Sequence, residues 1–143
     1  MQKKVFTVIE IDDLRFSILQ GIGTKSADVI TLCLSEEIRG KDDLQISQAV
    51  STRLKSSGWR GERLYVALPR RIFILKNLLL PADTESEIQK MIALQLPAHV
   101  PYKESDVVWD YLILDKTSDG YAKILLMVVS LEAIQKYLKI FLM

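Results

Sequence analysis

The spacing of apolar and polar residues changes several times along the chain, and each change predicts an element. Residues 5–11 are apolar at all but Thr7 and Glu10, as in a strand covered on both faces. Asp12-Asp13 predicts a turn. Leu14, Phe16 and Ile18 then alternate with Arg15 and Ser17, which predicts a second strand, broken by Gly21-Ile22-Gly23. Residues 29–34 predict a third strand, and three strands with short turns form an antiparallel meander. Asp42 or Asp43 is suited to cap a following helix, because a short carboxylate accepts free backbone amides there. Ile46, Ala49, Val50 and Leu54 mark the buried face of that helix, and Gly58 fits its C-terminal end. Residues 64–68 predict a fourth strand.

The second half begins with a predicted strand over residues 71–80. Thr84, followed three residues later by Glu87, has the spacing of a capping box. Ile88, Met91 and Ile92 continue at helical spacing, and Pro97 and Pro101 are expected to end the helix. Val107, Trp109, Tyr111 and Ile113 alternate with Val108, Asp110 and Leu112, as in a strand with one face buried. Asp119-Gly120 signals a hairpin. Residues 121–130 return as a strand, and Ser130 is placed to cap a last helix with Ile134, Tyr137, Leu138 and Phe141 on one side.

Composition narrows the class. The 143 residues fit one domain or two small lobes, with 49% hydrophobic and 26% charged residues, an ordinary globular balance. The net charge of +1 and the scattered Lys and Arg residues give no footprint for nucleic acid. The single cysteine, Cys33, lies in an apolar run and is expected to be a buried, inert thiol in a reducing compartment. Lys3 and Lys4 precede an apolar run that Thr7 and Glu10 interrupt, which is no signal peptide. No apolar run approaches the ~20 residues that span a bilayer.

A resemblance covers most of this order. Val100, Pro101, Tyr102, Val107, Val108, Asp110 and Tyr111 resemble a motif of the PilM/GspL-like, actin-like proteins of type IV pilus assembly and type II secretion. Residues 54–69, LKSSGWRGERLYVALP, resemble the passage that closes the first helix of PilM-like proteins and enters a strand ending in Leu-Pro. The resemblance implies an α/β fold: a partial actin-like (ribonuclease H-like) lobe over residues 1–69, with an inserted strand-helix-strand-strand-helix module over residues 70–143. The division protein FtsA carries a similar insertion. The chain is expected to be an N-terminal part, cut at the last helix of the module.

Actin-like proteins hold nucleotide phosphates with an Asp-Ile-Gly loop and nearby hydroxyls. Glu10, Ile11, Asp12, Asp13 and Leu14 stand at the matching positions. Asp12 replaces the glycine and Asp13 a hydroxyl residue, and two carboxylates repel a polyphosphate. The phosphate loop is therefore expected to be degenerate, with no cofactor, no ATP, no resident metal and no enzymatic activity. A nucleotide-binding actin-like ATPase is the alternative. His99, the only histidine, has no partner for a triad or a metal site and is expected on a surface loop between the two prolines. Glu85, Glu87 and Lys90 are expected as a solvated helix face, and Trp59 and Trp109 as core or interface anchors.

The resemblance further implies a scaffold in the cytoplasm, held at the inner membrane by partners or by a C-terminal segment beyond this sequence. Its partner would be a peptide of a PilN-like membrane protein, and a secretion ATPase could be a second. Arg70 and Arg71 fall where PilM-like proteins pass from the lobe into the module, and together with Tyr102 are the expected partner-binding residues. The peptide is expected at a cleft near residues 69–71, and the chain is also expected to form a homo-oligomer through strand edges or apolar patches.

Overall fold

The computed structural model describes residues 4–142; Lys3 and Met143 lie outside that range. The chain divides into two compact units, residues 4–69 with 137–142, and residues 70–136. The last turns of the final helix thus group with the first unit, whereas the sequence reading places all of residues 70–143 in one module.

In the first unit β1 (Lys4–Ile11), β2 (Arg15–Gly23) and β3 (Asp28–Glu37) form the expected antiparallel meander. After α1 (Asp43–Ser56) the chain adds β4 (Leu64–Ala67) parallel to β1, giving the sheet order β3-β2-β1-β4. β1 is covered on one face rather than two: Thr7, Ile9 and Ile11 are buried, while Glu10 on the other face is exposed. The same face continues on β2 as Phe16 and Ile18, and Ile46, Val50 and Leu54 of α1 are buried with it. The Gln20 amide donates to Ser57 Oγ at 3.0 Å and, at 3.4 Å, to Thr7 Oγ1, tying the sheet to the end of α1.

Both ends of α1 are chemically capped. Asp42 and Gln45 exchange the reciprocal bonds of a capping box. At the other end the Gly58 amide donates to the Lys55 carbonyl and the Trp59 amide to the Leu54 carbonyl, a Schellman pair that Gly58 permits with φ of 81°. Gly21-Ile22-Gly23 does not break β2, which runs on to Gly23. The lost side chain at Gly21 instead makes room for a neighbour: a Cβ there would sit 2.3 Å from Cζ of Phe6.

Cys33 is exposed, not buried. β3 is an edge strand whose half-covered face takes Leu32, Leu34 and Glu36, so alternation turns Cys33 outward beside Leu19. Glu36 receives Arg53 Nε at 2.7 Å and Lys41 Nζ at 3.1 Å, and these two donors hold its carboxyl below the usual range.

The second unit is a three-stranded antiparallel sheet with one helix. A 3-10 turn, Arg70–Ile72, occupies the start of the predicted strand, so β5 begins at Phe73 (Phe73–Leu80). β6 (Val107–Lys116) and β7 (Ala122–Ser130) complete the order β5-β7-β6. On α2 (Glu85–His99), Ile88, Ile92 and Leu96 form a fully buried stripe. They cluster with Leu80, Val107, Ile124, Leu126 and Val128, and Trp109, Tyr111 and Ile113 pack against that cluster.

The capping box of Thr84 and Glu87 forms as expected, but Pro97 does not end the helix. It lies in the last turn, where its missing N–H forfeits a single bond. The stop comes at Val100, whose φ of −134° and ψ of 145° are those that a following proline imposes. His99 consequently sits half-buried in the last helical turn rather than in a loop. α3 (Leu131–Leu142) starts on the Ser130 hydroxyl, which accepts the Ala133 amide at 3.1 Å. Its buried residues are Tyr137 and Ile140, while Leu138 is exposed.

Two measurements check this packing. Ile92→Ala is expected to lower unfolding free energy by about 2–5 kcal/mol, and Leu94→Ala, at an exposed position of the same helix, by about 0.5 kcal/mol or less, in denaturant titration. The Glu36 carboxyl is depressed in the folded chain, so its contribution is complete above the ordinary glutamate range, about pH 4.3, and is lost as pH falls through the depressed value. Arg53→Gln should therefore reduce stability at neutral pH, with the difference from wild type closing in acid.

Candidate functional site

Arg70, Arg71 and Tyr102 all belong to the second unit, and strand register brings their segments to one end of its sheet. Phe73 pairs with Val129, and Val129 pairs on its other side with Val108. The starts of β5 and β6 therefore flank the end of β7, two strand spacings or about 10 Å apart. The Arg70–Ile72 turn leads into the first of these strands. The loop holding Tyr102, followed by the 3-10 turn Glu104–Asp106, leads into the second. This end thus carries two guanidinium groups, an aromatic ring that is 46% exposed, and the carboxylates of Glu104 and Asp106.

The groups differ in freedom. Arg70 Nη1 donates to the Phe73 carbonyl at 2.9 Å, which fixes the guanidinium over its own turn and leaves its other donors for a ligand. Tyr102 is partly exposed and carries both an apolar ring and a hydroxyl. The motif residues around it act mainly on structure. Val100 and Val107 are buried, and Tyr111 packs on the core, while the Asp110 carboxylate accepts the Tyr111 amide at 2.8 Å.

In the first unit, Glu10 and Asp13 are exposed, and Asp12 is the residue that organises the turn. Its Oδ1 accepts the Leu14 amide at 2.7 Å and the Arg15 amide at 2.9 Å. Its own amide donates to the Arg15 carbonyl. Two amides of this loop, Leu14 and Arg15, are thus already satisfied by a carboxylate. Among the described residues, no three His, Cys, Asp or Glu side chains gather as a metal site.

A concavity lies in the same unit. Ser47, Val50, Ser51, Leu54 and Lys55 of α1 line a cleft of about 150 Å³ with Trp59, Leu64, Ile140 and Phe141. The Trp59 indole N–H donates to the Glu62 carbonyl at 3.0 Å, which orients the ring along the cleft wall. The sequence marks Trp59 as an anchor but gives no sign of the cleft, because Ile140 and Phe141 arrive from the far end of the chain.

The fold has recognisable counterparts. No protein-family model matches the sequence, and no curated protein matches it. Among solved structures, a chain of the PilM-PilN type IV pilus biogenesis complex superposes with a TM-score of 0.80 at 15% identity, over 95% of this chain and 43% of that one. The cytoplasmic domain of EpsL, an inner membrane component of the type II secretion system of Vibrio cholerae, superposes with a TM-score of 0.57 at 14% identity, over 96% of this chain and 52% of that one. The chain therefore has a PilM/GspL-like α/β fold and spans about half the length of the structures it matches. No helix among the described residues is long and apolar enough to cross a membrane.

The Asp12 turn gives a direct check. Asp12→Ala strips two backbone amides of their acceptor and is expected to cost about 1–2 kcal/mol in thermal or denaturant unfolding, with the fold retained.

Proposed function

We propose that this chain is part of a non-enzymatic scaffold of a pilus-assembly or type II secretion platform, and that it binds a peptide of a membrane partner. The observation that carries the reading is the superposition on a chain of the PilM-PilN complex at a TM-score of 0.80 over nearly the whole sequence. The EpsL likeness supports the same kind of assembly from the secretion side. The peptide site we propose is the end of the β5-β7-β6 sheet, where Arg70 and Arg71 recognise carboxylates or carbonyls and Tyr102 packs on an apolar side chain. The working location is the cytoplasmic face of the inner membrane, and a secretion ATPase is a candidate second partner.

Absence of nucleotide chemistry is part of the proposal. It is supported by the Asp12 carboxylate, which takes the amides of its own loop and adds charge where phosphates would need donors.

Titration of the cytoplasmic N-terminal peptide of a PilN-like protein tests the site. Arg70→Ala/Arg71→Ala and Tyr102→Ala are each expected to weaken binding about tenfold or more, which is about 1.4 kcal/mol. Equal affinity for all variants, with circular dichroism unchanged, rules the site out. Calorimetry with Mg-ATP, on this chain and on a longer gene product, is expected to show no binding. Affinity tighter than about 1 mM, or −4 kcal/mol, would favour an actin-like ATPase instead.

A further inference from the structure

We propose that the cleft along α1 binds a small phenolic carboxylate, with the ring among its apolar walls, the carboxylate on Lys55 and the phenol on Ser47. All of its lining residues belong to the first unit. Size is the first indication: a cavity of about 150 Å³ takes one benzene ring. Val50, Leu54, Leu64, Ile140 and Phe141 supply the apolar surface. The Trp59 indole N–H is already committed to the Glu62 carbonyl, so Trp59 offers a ligand only its ring.

Polar groups set the two ends. Ser47, Ser51 and Lys55 are four residues apart, so they follow one line along α1, with a rise of about 6 Å between successive members. Ser47 is 7% exposed, yet its hydroxyl makes no hydrogen bond to any described residue. A serine inside a helix ordinarily points to water or bonds back to the carbonyl four residues earlier, and Ser47 does neither. No fully buried side-chain oxygen or nitrogen lacks a partner among the described residues, so the Ser47 oxygen opens on the cleft it lines. It is available there to a ligand as both donor and acceptor. Lys55 is exposed and is the only charged residue of the lining. It forms no ion pair with a described residue. Long side chains of a helix lean toward its N-terminus, which favours an ammonium position near Ser51. The order is thus a hydroxyl at depth, an apolar middle and a cation at the mouth. A wholly apolar ligand would leave Ser47 and Lys55 unused. A phenol bearing a carboxylate on a short arm matches all three: the phenol bonds to Ser47, the ring packs beside Trp59, and the carboxylate takes the Lys55 ammonium and the Ser51 hydroxyl.

An NMR titration of the chain with para-hydroxyphenylpropionate tests the site. The expected Kd is about 1 mM or tighter. The Trp59 indole signal should shift while that of Trp109, in the other unit, stays in place. Phenylpropionate, which lacks the hydroxyl, should bind about fivefold more weakly. Ser47→Ala should erase that difference. The uncharged para-hydroxyphenylpropionamide should bind about tenfold more weakly than the acid, and Lys55→Gln should erase that difference in turn. Ser47→Ala should also leave the thermal unfolding midpoint unchanged or higher, because no bond within the protein is lost, whereas a structural role would lower it. The proposal is overturned by the absence of a saturable shift at about 10 mM, or by equal shifts at both indoles. It is equally overturned if the phenol keeps its advantage in Ser47→Ala, if the carboxylate keeps its advantage in Lys55→Gln, or if a tyrosine-terminated peptide binds more tightly than the free acid.

Discussion

A single helical stripe against one face of a sheet is the constraint from which most of the second unit follows. Ile88, Ile92 and Leu96 are spaced four residues apart, so they form one line on α2. A line of that width covers one face of three strands and no more. Alternate residues of β7, Ala122, Ile124, Leu126 and Val128, complete the core, and the reverse face has no layer of its own within the unit. Apolar residues nonetheless stand on that reverse face, including Leu79, Val108 and Leu112, each over 40% exposed. Burial on the helix side is strict, whereas on the reverse face Val129 is buried and Leu79, Val108 and Leu112 remain open.

The first unit follows the same rule with a different connection. The meander places β1 beside β2, and α1 lets the chain cross to the far side of β1 and add β4 in parallel. Polar groups under this layer are fully served, with no buried side-chain donor or acceptor lacking a partner among the described residues. The Gln20 bonds to Ser57 and Thr7 show how: one amide reaches a strand neighbour and the end of the helix together. What distinguishes the unit chemically lies at its margins, in the Asp12 turn and along the open β3 edge.

A scaffold reading and this architecture are physically consistent. Ion pairs and hydrogen bonds serve caps, turns and strand ends, as at Glu36, Glu87 and Asp12, where carboxylates are consumed by neighbouring amides and cations. The strand edges and the half-exposed Tyr102 loop remain as surface, which is where the proposed peptide recognition would take place.

Local chemistry was legible in the sequence because its partners lie within a few residues. The Thr84 box, a cap at Asp42 or Asp43, the Gly58 closure, the Ser130 cap and the inward alternation of Val107, Trp109, Tyr111 and Ile113 could all be read directly. Where the sequence misled, distant residues decided. Cys33 looks like core by its neighbours but faces outward, because nothing beyond β2 covers an edge strand. Gly21 looks like a break and is instead the space that the Phe6 ring fills from the adjacent strand. Residues 5–11 look covered on both faces, yet the number of layers is a property of the assembled sheet, not of the strand. Arg70 and Tyr102, 32 positions apart, come to one end of a sheet only through their neighbours' shared register on β7. Periodicity, caps and turns act over one or two turns of chain and are determined by sequence alone, whereas coverage and convergence require every layer to be in place.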